Sequence, residues 1–277
     1  MRTFLDKMRD LKMQEVEAAQ RHAPESELRA RLSGLAPRAS FSRGLQAPGI
    51  SLITEVKAQA PGRRNVETLD LQAVLEDYEA GGAHAISVLT DEHYFGGSLE
   101  TLEQARNSTA LPLLHKEFIV HPYQLLQGKL RGASAALILV YYFTLPELQG
   151  ILEQTRELGL DAVVECSLEE ELPRALEANP EVLMINNRPI ASLPEEPGST
   201  YHLGSVDTTV DWWRRFPELQ AWKSQPERVL ISASCISTAE HLGTLRQVPC
   251  DAALIGNSAM SAPDRVLFLK TLRSGKF

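Results

Sequence analysis

The chain has 277 residues, of which 43% are apolar, and its formal net charge is −8 at pH 7. This apolar fraction is sufficient for a continuous core and excludes intrinsic disorder as a description of the whole chain. The acidic balance argues against a nucleic-acid-binding protein, because such proteins usually carry a basic excess. A small anionic ligand remains compatible with it, since a few lysines and backbone amides can bind one phosphate group.

The cysteines and the N-terminal segment indicate the compartment. Cys166, Cys235 and Cys250 are widely spaced, odd in number and form no Cys-x-x-Cys pair, so neither a zinc site nor a disulfide framework is expected. The N-terminal segment is charged throughout and lacks the apolar core of a signal peptide. The longest apolar runs are too short to span a bilayer. We therefore expect a cytoplasmic protein with no membrane or nucleic-acid partner.

An N-terminal extension is predicted ahead of the main domain. About the first thirty residues have the pattern of one amphipathic helix. Its apolar face holds five residues: Phe4, Leu5, Met8, Leu11 and Val16. Pro37 and then Pro48-Gly49 interrupt the chain before the first strand. We divide the chain into a helical extension, 1–48, and a barrel, 49–277, within a single domain.

Eight short apolar runs recur along the rest of the chain, each followed by a turn and a charged helical stretch. Apolar runs without polar alternation are typical of parallel strands that are buried on both faces. The runs lie at 50–56, 85–89, 113–115, 135–140, 162–164, 182–185, 229–232 and 252–255. Helices are predicted between them at 70–80, 122–131, 145–158, 167–178 and 238–245.

Eight such units predict a (β/α)8 TIM barrel of the α/β class. The alternative, an open doubly wound sheet, is weakened because no Gly-x-Gly-x-x-Gly motif follows the first strand. The least regular stretch is 189–217, which holds Pro194, Pro197 and Gly198. We interpret it as a long loop on the active side of the barrel that leads into a helix.

Polar side chains follow several of the apolar runs at the carboxyl ends of the strands, where barrel enzymes place their functional groups. Period-two alternation puts Glu55 and Lys57 on the same side of the first strand, facing the barrel mouth. Burying an unpaired charge is costly, so charges at several strand ends indicate a shared polar cavity rather than separate salt bridges. The residues concerned are two lysines, two glutamates and an Asn-Asn-Arg run at four strand ends: Glu55, Lys57, Lys116, Glu165 and Asn186-Asn187-Arg188.

The segments that contain these residues resemble the indole-3-glycerol phosphate synthase family. The similarity extends from the N-terminal helix to the last helix, and the second and third segments are specific signatures. In order, the segments are ITEVKAQAPG (53–62), AISVLTDEHYFGGSLETL (85–102), PLLHKEFIVHPYQL (112–125), VVECSLEEEL (163–172), INNR (185–188), ISASCIS (231–237) and LIGNSAM (254–260). The resemblance implies a barrel whose N-terminal extension covers part of the substrate site.

The resemblance also implies a carboxy-lyase of tryptophan biosynthesis that uses no metal or organic cofactor. The family closes a ring in 1-(2-carboxyphenylamino)-1-deoxyribulose 5-phosphate with loss of carbon dioxide and then water. By resemblance, Lys116 is the leading general acid, and Glu165 exchanges a proton with the aniline nitrogen or the departing hydroxyl. Lys57 reaches the phosphate or the departing water, Glu55 orients both lysines, and Asn186 bonds a substrate hydroxyl.

Binding residues are expected around these groups. Arg188 faces an anionic group, and Phe95 and Phe118 sandwich the anilino ring, although Phe95 is nearly as well interpreted as ordinary core. The phosphate is expected on the loops after the seventh and eighth strands, which is the recurrent phosphate site of such barrels. Four residues mark these loops: Ser234, Cys235, Gly256 and Asn257.

This sequence departs from the family pattern at three places. Ala60-Pro61-Gly62 replaces the usual Ser-Pro-Ser, Ala233-Ser234-Cys235 replaces Glu-Ser-Gly, and Pro189 replaces an aspartate. A glycine position that requires positive φ would be strained when cysteine occupies it. Cys235 as a nucleophile is disfavoured relative to an inert thiol, because no histidine lies beside it in sequence.

Three functions therefore stay open. The chain is either an indole-3-glycerol phosphate synthase, a paralogue that acts on a modified arylamino sugar phosphate, or a non-catalytic barrel that binds a phosphorylated metabolite or a partner protein. The retained Lys57, Lys116 and Glu165 favour catalysis over binding alone. The chain is expected to be a monomer or a homodimer, and its sequence does not choose between these states.

Overall fold

The computed structural model describes residues 3–36, 38–57, 59–60, 63–64, 69–190 and 204–274. Within these ranges, eight parallel strands form a closed barrel in which each strand pairs with its neighbour along the chain and the last pairs with the first. The barrel strands are β1 (Ser51–Val56), β4 (Ala85–Leu89), β5 (Leu113–Lys116), β6 (Ala135–Leu139), β7 (Asp161–Cys166), β8 (Val182–Asn186), β9 (Val229–Ala233) and β10 (Ala252–Ile255). A short antiparallel pair, β2 (Gln59–Ala60) and β3 (Arg63–Arg64), follows β1.

The predicted (β/α)8 barrel is confirmed. All eight predicted strands are present, because their apolar runs supply side chains to both the barrel interior and the surrounding helices. The register then sets which side chains share the interior: Glu55 pairs with Ser87, Leu89 with Lys116, and Leu139 with Glu165. Residues paired in register point to the same face, so the polar strand ends converge on one mouth.

Helices surround the barrel on its outer side. Their bounds after the first two helices of the chain are α3 (Phe41–Gly44), α4 (Leu71–Ala80), α5 (Glu92–Phe95), α6 (Leu99–Ser108), α7 (Pro122–Leu130), α8 (Leu145–Glu157), α9 (Leu172–Glu177), α10 (Asp207–Arg215), α11 (Pro217–Lys223), α12 (Ala239–Leu245), α13 (Asn257–Met260) and α14 (Arg265–Ser274). Most predicted helices occur at the expected places. The helix predicted over 167–178 starts later, since Glu171 accepts the Ser167 and Leu168 amides in a tight turn before α9.

The first part of the extension forms two helices, so the prediction of one helix over the first thirty residues is wrong. They are α1 (Phe4–His22) and α2 (Glu25–Leu32), separated at Pro24, whose ψ of 148° ends the helical backbone. Proline lacks the amide that a continuous helix would need at this point. Phe4, Leu5 and Met8 of α1 belong to the same apolar cluster as the barrel interior.

The stretch 189–217 lies only partly within the described residues, and 191–203 falls outside them. In the described part, α10 begins at Asp207, so the predicted helix starts inside this stretch rather than after it. None of the described helices is long and apolar enough to cross a membrane.

Candidate active site

The ends of β5, β7 and β8 bring three predicted catalytic residues together. Lys116 Nζ lies 3.5 Å from Glu165 Oε2, and Asn186 Nδ2 donates to Glu165 Oε1 at 3.0 Å. Glu165 is 1% exposed, so these two side chains, rather than water, are the polar partners of its carboxylate. The arrangement holds a carboxylate and an ammonium group beside one another at the mouth of the barrel.

Glu55 and Lys57 form a second ion pair at the end of β1. Lys57 Nζ lies 2.8 Å from Glu55 Oε1, and both side chains are largely buried. Burial by itself would raise the pKa of Glu55, but the charges of Lys57, Lys116 and Arg188 outweigh it and lower this pKa. Glu55 is therefore ionised at neutral pH, and its negative charge interacts with three cationic side chains.

Arg188 and Cys235 meet beside this pair. The Arg188 side chain forms a hydrogen bond with Cys235 and attracts the charge of Glu55. Burial raises the pKa of the Cys235 thiol, and Arg188 only partly opposes this effect. The thiol is therefore protonated at neutral pH, which fits an inert group better than a nucleophile.

The turn after β9 has an unusual backbone. Ser234 and Cys235 have φ values of 68° and 62°, a region that favours glycine. Asn187 supports this turn, because its Nδ2 donates to the carbonyl of Ser234 and to the hydroxyl of Ser232. Cys235 thus occupies the strained position that was expected for it.

The turn after β10 lies beside the turn after β9. Gly256 precedes α13, and Asn257 is the first residue of this helix. Ser258 Oγ donates to the carbonyl of Ile236 at 2.8 Å, which joins the two turns. The structure therefore places the four predicted phosphate-binding residues on adjacent segments.

Aromatic rings form one wall of the site. The Phe95 and Phe118 centroids are 6.0 Å apart at an interplanar angle of 34°, and Lys57 Nζ lies 5.9 Å from the Phe95 centroid. Phe4 of the extension packs edge-on against Phe118 at 6.0 Å and against Tyr94 at 4.9 Å. Because Phe95 and Phe118 contact each other, they present a single surface, and a ring between them would require their separation.

A buried ionic cluster beneath α1 was missed by the sequence reasoning. Lys12 is 1% exposed and contacts the carboxylates of Asp91, Glu117 and Glu15. A signal for it was present, because Lys12 falls between Met8 and Val16 on the apolar face of the helix. A lone lysine on such a face indicates a buried partner.

The departures from the family pattern lie partly outside the described residues. Pro61 and Gly62 fall outside them, whereas Ala233 is described and is 2% exposed. Ala233 pairs in register with Asn186, so a longer side chain at position 233 would point into the same mouth.

Comparisons with known proteins agree with this geometry. The profile of the family described as indole-3-glycerol phosphate synthase matches residues 5–272. The indole-3-glycerol phosphate synthase of Roseiflexus sp. (strain RS-1) is 36% identical over 272 residues, which cover 95% of this chain and 96% of the relative. The enzyme of the same name from Desulfosudis oleivorans is 34% identical over 277 residues and covers 98% and 99% of the two chains.

A solved structure supports the fold alone. A mutant tryptophan synthase α-subunit from Pyrococcus furiosus matches with a TM-score of 0.55 and 13% identity, covering 81% of this chain and 98% of that one. The profile and the relatives, in contrast, extend over nearly the whole sequence and include every strand end described above. The chain belongs to the indole-3-glycerol phosphate synthase family, which confirms the expected carboxy-lyase class.

Proposed function

We propose that the chain converts 1-(2-carboxyphenylamino)-1-deoxyribulose 5-phosphate into indole-3-glycerol phosphate, and that the polar barrel mouth performs this reaction. The observation that carries the residue assignment is the buried contact of Lys116 with Glu165, which Asn186 supports. A paired ammonium and carboxylate can donate and accept protons in turn without a metal or an organic cofactor.

The first step requires an acid. A bond forms between the ribulose carbonyl carbon and the ring carbon that bears the carboxylate, and the carbonyl oxygen takes a proton from Lys116. The bond between the ring carbon and the carboxylate then breaks and carbon dioxide leaves. The electron pair of this bond stays with the ring and restores its aromaticity. Lys116 suits this role because Glu165 keeps the ammonium in place beside the reacting oxygen.

The second step removes water. The hydroxyl formed in the first step leaves after protonation, and the indoline gives up one proton to a base as the indole forms. We assign the proton exchange in this step to Glu165. The ammonium group that acts on the departing water is assigned to Lys57, which Glu55 orients. We assign the second N–H of the Asn186 amide to a substrate hydroxyl, since the first donates to Glu165 and the amide oxygen accepts the Arg188 backbone amide.

Substrate binding is assigned to the surroundings of these groups. The wall of Phe95 and Phe118 offers an apolar surface to the anilino ring. The adjacent turns after β9 and β10 offer backbone amides to the phosphate, and Arg188 offers a cation to an anionic group of the substrate. Each assignment follows from position in the mouth and from the chemistry of the side chain.

A second candidate function is the same ring closure on a modified arylamino sugar phosphate. It is favoured by Ala233 and Cys235, which together remove one carboxylate from the mouth and add a thiol beside Arg188. A non-catalytic binding role is disfavoured, because burying both Glu55 and Glu165 against lysines has a desolvation cost that ligand binding alone does not require.

The domain organisation, compartment and oligomeric state of the enzyme are also part of what we propose. We propose one domain in which the extension, 1–48, and the barrel, 49–277, act together, since Phe4 reaches the aromatic wall. We also propose a cytoplasmic monomer or homodimer with a small phosphorylated arylamino sugar as its partner. Its three cysteines are unpaired, and Cys166 and Cys250 are buried, as suits a reducing compartment.

The test is a direct assay. Purified protein is incubated with the standard substrate while indole fluorescence is followed, with and without a chelator. Indole formation that persists in chelator supports the proposal. Absence of indole formation, together with turnover of a substrate with a modified aryl ring, would establish the second candidate instead.

A further inference from the structure

Lys12 belongs to the extension, yet its ammonium group lies between two segments of the barrel. Its Nζ is 2.8 Å from Asp91 Oδ1 and 3.2 Å from Glu117 Oε1, and its side chain is 2% exposed. Asp91 follows β4 and Glu117 follows β5. One cation therefore bridges two carboxylates that belong to neighbouring strand ends.

Asp91 transmits this contact to Phe95. Asp91 is fully buried, and its Oδ2 accepts the amides of Tyr94 at 2.7 Å and Phe95 at 3.1 Å. It is the N-cap of the single-turn helix α5, which carries Phe95 at its end. One oxygen of Asp91 thus binds Lys12, and the other fixes the backbone that positions the Phe95 ring.

Glu117 transmits the contact to Phe118. Its Oε1 accepts the amide of Phe118 at 2.8 Å, and its Oε2 accepts the hydroxyl of Thr90 at 2.7 Å. Glu117 also lies directly between Lys116 and Phe118 in the chain. Burial raises the pKa of Glu117, and the charge of Lys12 opposes this increase, so the ionised carboxylate depends on the lysine.

We propose that Lys12 is a positioning residue that holds the segments of Phe95 and Phe118 together and so sets the geometry of the wall for the aryl ring. Without the ammonium, two buried carboxylates would face each other unpaired, and they would separate or take up a proton. Either response changes the contact between the two rings. This inference rests on the proposed function, because it assigns the wall to the aryl group of that substrate.

The experiment compares a ligand that carries the ring with one that lacks it. Indole-3-glycerol phosphate and glycerol 3-phosphate are titrated against the wild type and Lys12→Met. A loss of ring contacts predicts about five- to tenfold weaker binding of the indole ligand, as expected for one aromatic interaction. Binding of glycerol 3-phosphate should change less than about twofold, since the turns that we assign to phosphate follow β9 and β10, whereas Lys12 contacts the segments after β4 and β5.

Two further variants separate positioning from folding. Glu15→Gln removes a partner of Lys12 on α1 itself and leaves both barrel carboxylates intact, so it should bind both ligands as the wild type does. Lys12→Met combined with Glu117→Gln removes both charges of one ion pair and keeps an acceptor for the Phe118 amide. This double variant should recover at least half of the lost affinity for the indole ligand, and it keeps the test valid if Lys12→Met alone does not fold.

The possible outcomes are distinct. Equal losses for both ligands, or no loss for either, would overturn the positioning role of Lys12. Failure of the double variant to recover binding would also overturn it, because charge balance would then not be the cause. If the wild type itself binds the indole ligand no better than glycerol 3-phosphate, the proposed function fails before Lys12 is tested.

Discussion

The carboxylate of Glu55 lies directly against the backbone of Gly256. A Cβ atom at position 256 would stand 2.5 Å from Glu55 Oε1 and 3.5 Å from Lys57 Nζ. The φ of Gly256 is −102°, so this close approach, rather than a left-handed backbone, explains the glycine. The turn after β10 and the ion pair of β1 therefore depend on each other.

Gly256→Ala should displace Glu55 and disturb its ion pair with Lys57. We expect kcat/KM to fall by about tenfold to a hundredfold, as for the loss of one charge-assisted hydrogen bond. Gly150→Ala, in α8, is the matched control, because nothing lies within 4 Å of its added methyl group. Steady-state rates on the standard substrate measure both, and an unchanged rate for Gly256→Ala would show that Glu55 does not need its present position.

Lys116→Met should abolish turnover while phosphate-ligand binding stays within about tenfold of the wild type. The substitution removes the proton donor that we propose for the transition state and leaves the turns proposed for phosphate intact. Lys129→Met serves as the control, since Lys129 is far from the mouth and donates to the carbonyl of Gly159. Single-turnover rates give the answer, and a rate above a tenth of the wild type would exclude Lys116 as the principal acid.

The sequence predicted the barrel and the residues of its mouth because both depend on local pattern. The apolar runs identify strands that are buried on both faces, and the spacing of Glu55 and Lys57 places both on one side of β1. Pro24 was equally visible, but the continuous apolar face of the extension obscured the break between α1 and α2.

The partners of Lys12 could not be predicted in the same way. Its ion pairs join α1 to Asp91 and Glu117, which are far away in sequence, and only the closed barrel brings these residues together. The contact between Phe95 and Phe118 is also set by the segments around them rather than by either residue. Local pattern thus identifies which side chains are buried, whereas tertiary packing decides what they meet.

His115 should make stability depend on pH. It belongs to β5 and its side chain is buried against α7, its Nε2 lies 3.0 Å from Thr90 Oγ1, and burial together with the charge of Lys12 lowers its pKa from 6.5 to about 3. Between pH 6.5 and about 3 the unfolded chain binds a proton at this position and the folded protein does not, so stability falls as pH falls through this window. The expected slope from this residue is about 1.4 kcal/mol per pH unit.

His115→Gln should remove this contribution. Urea unfolding at pH 7 and pH 5.5 gives the free energy of unfolding of each variant, and the decrease on acidification should be smaller for His115→Gln than for the wild type. Comparing the same two pH values cancels the contribution of His84, whose pKa is also lowered by burial. Identical decreases in the two proteins would show that His115 takes up its proton in the folded state.

The left-handed backbone at Cys235 should be measurable as strain. Cys235→Gly and Cys235→Ala both remove the thiol next to Arg188, but only glycine adopts a φ of 62° without steric cost. The glycine variant should therefore be more stable than the alanine variant by about 1 kcal/mol. Chemical denaturation of the pair measures this difference, and equal stabilities would mean that the turn relaxes to another conformation.

Restoring the family pattern with Ala233→Glu and Cys235→Gly should decide between the two candidate functions. The side chain at position 233 shares the mouth with Asn186. The new carboxylate would therefore lie near the substrate hydroxyl that we assign to Asn186. A weakened synthase should gain about tenfold to a hundredfold on the standard substrate, as for one recovered hydrogen bond to a charged group.

In an enzyme adapted to another substrate, the same carboxylate would occupy space or repel an anionic group. The proposed function predicts the gain on the standard substrate. The second candidate function predicts the opposite result, because the positions of the thiol and of the missing carboxylate lie beside Arg188 and Asn186 and change one part of the mouth together. Activity on the standard substrate would then stay low in the double variant, and activity on the modified arylamino sugar phosphate would fall. The two single variants, assayed on both substrates, identify which position carries the effect. A large gain on the standard substrate would instead make Ala233 and Cys235 losses of function rather than adaptations.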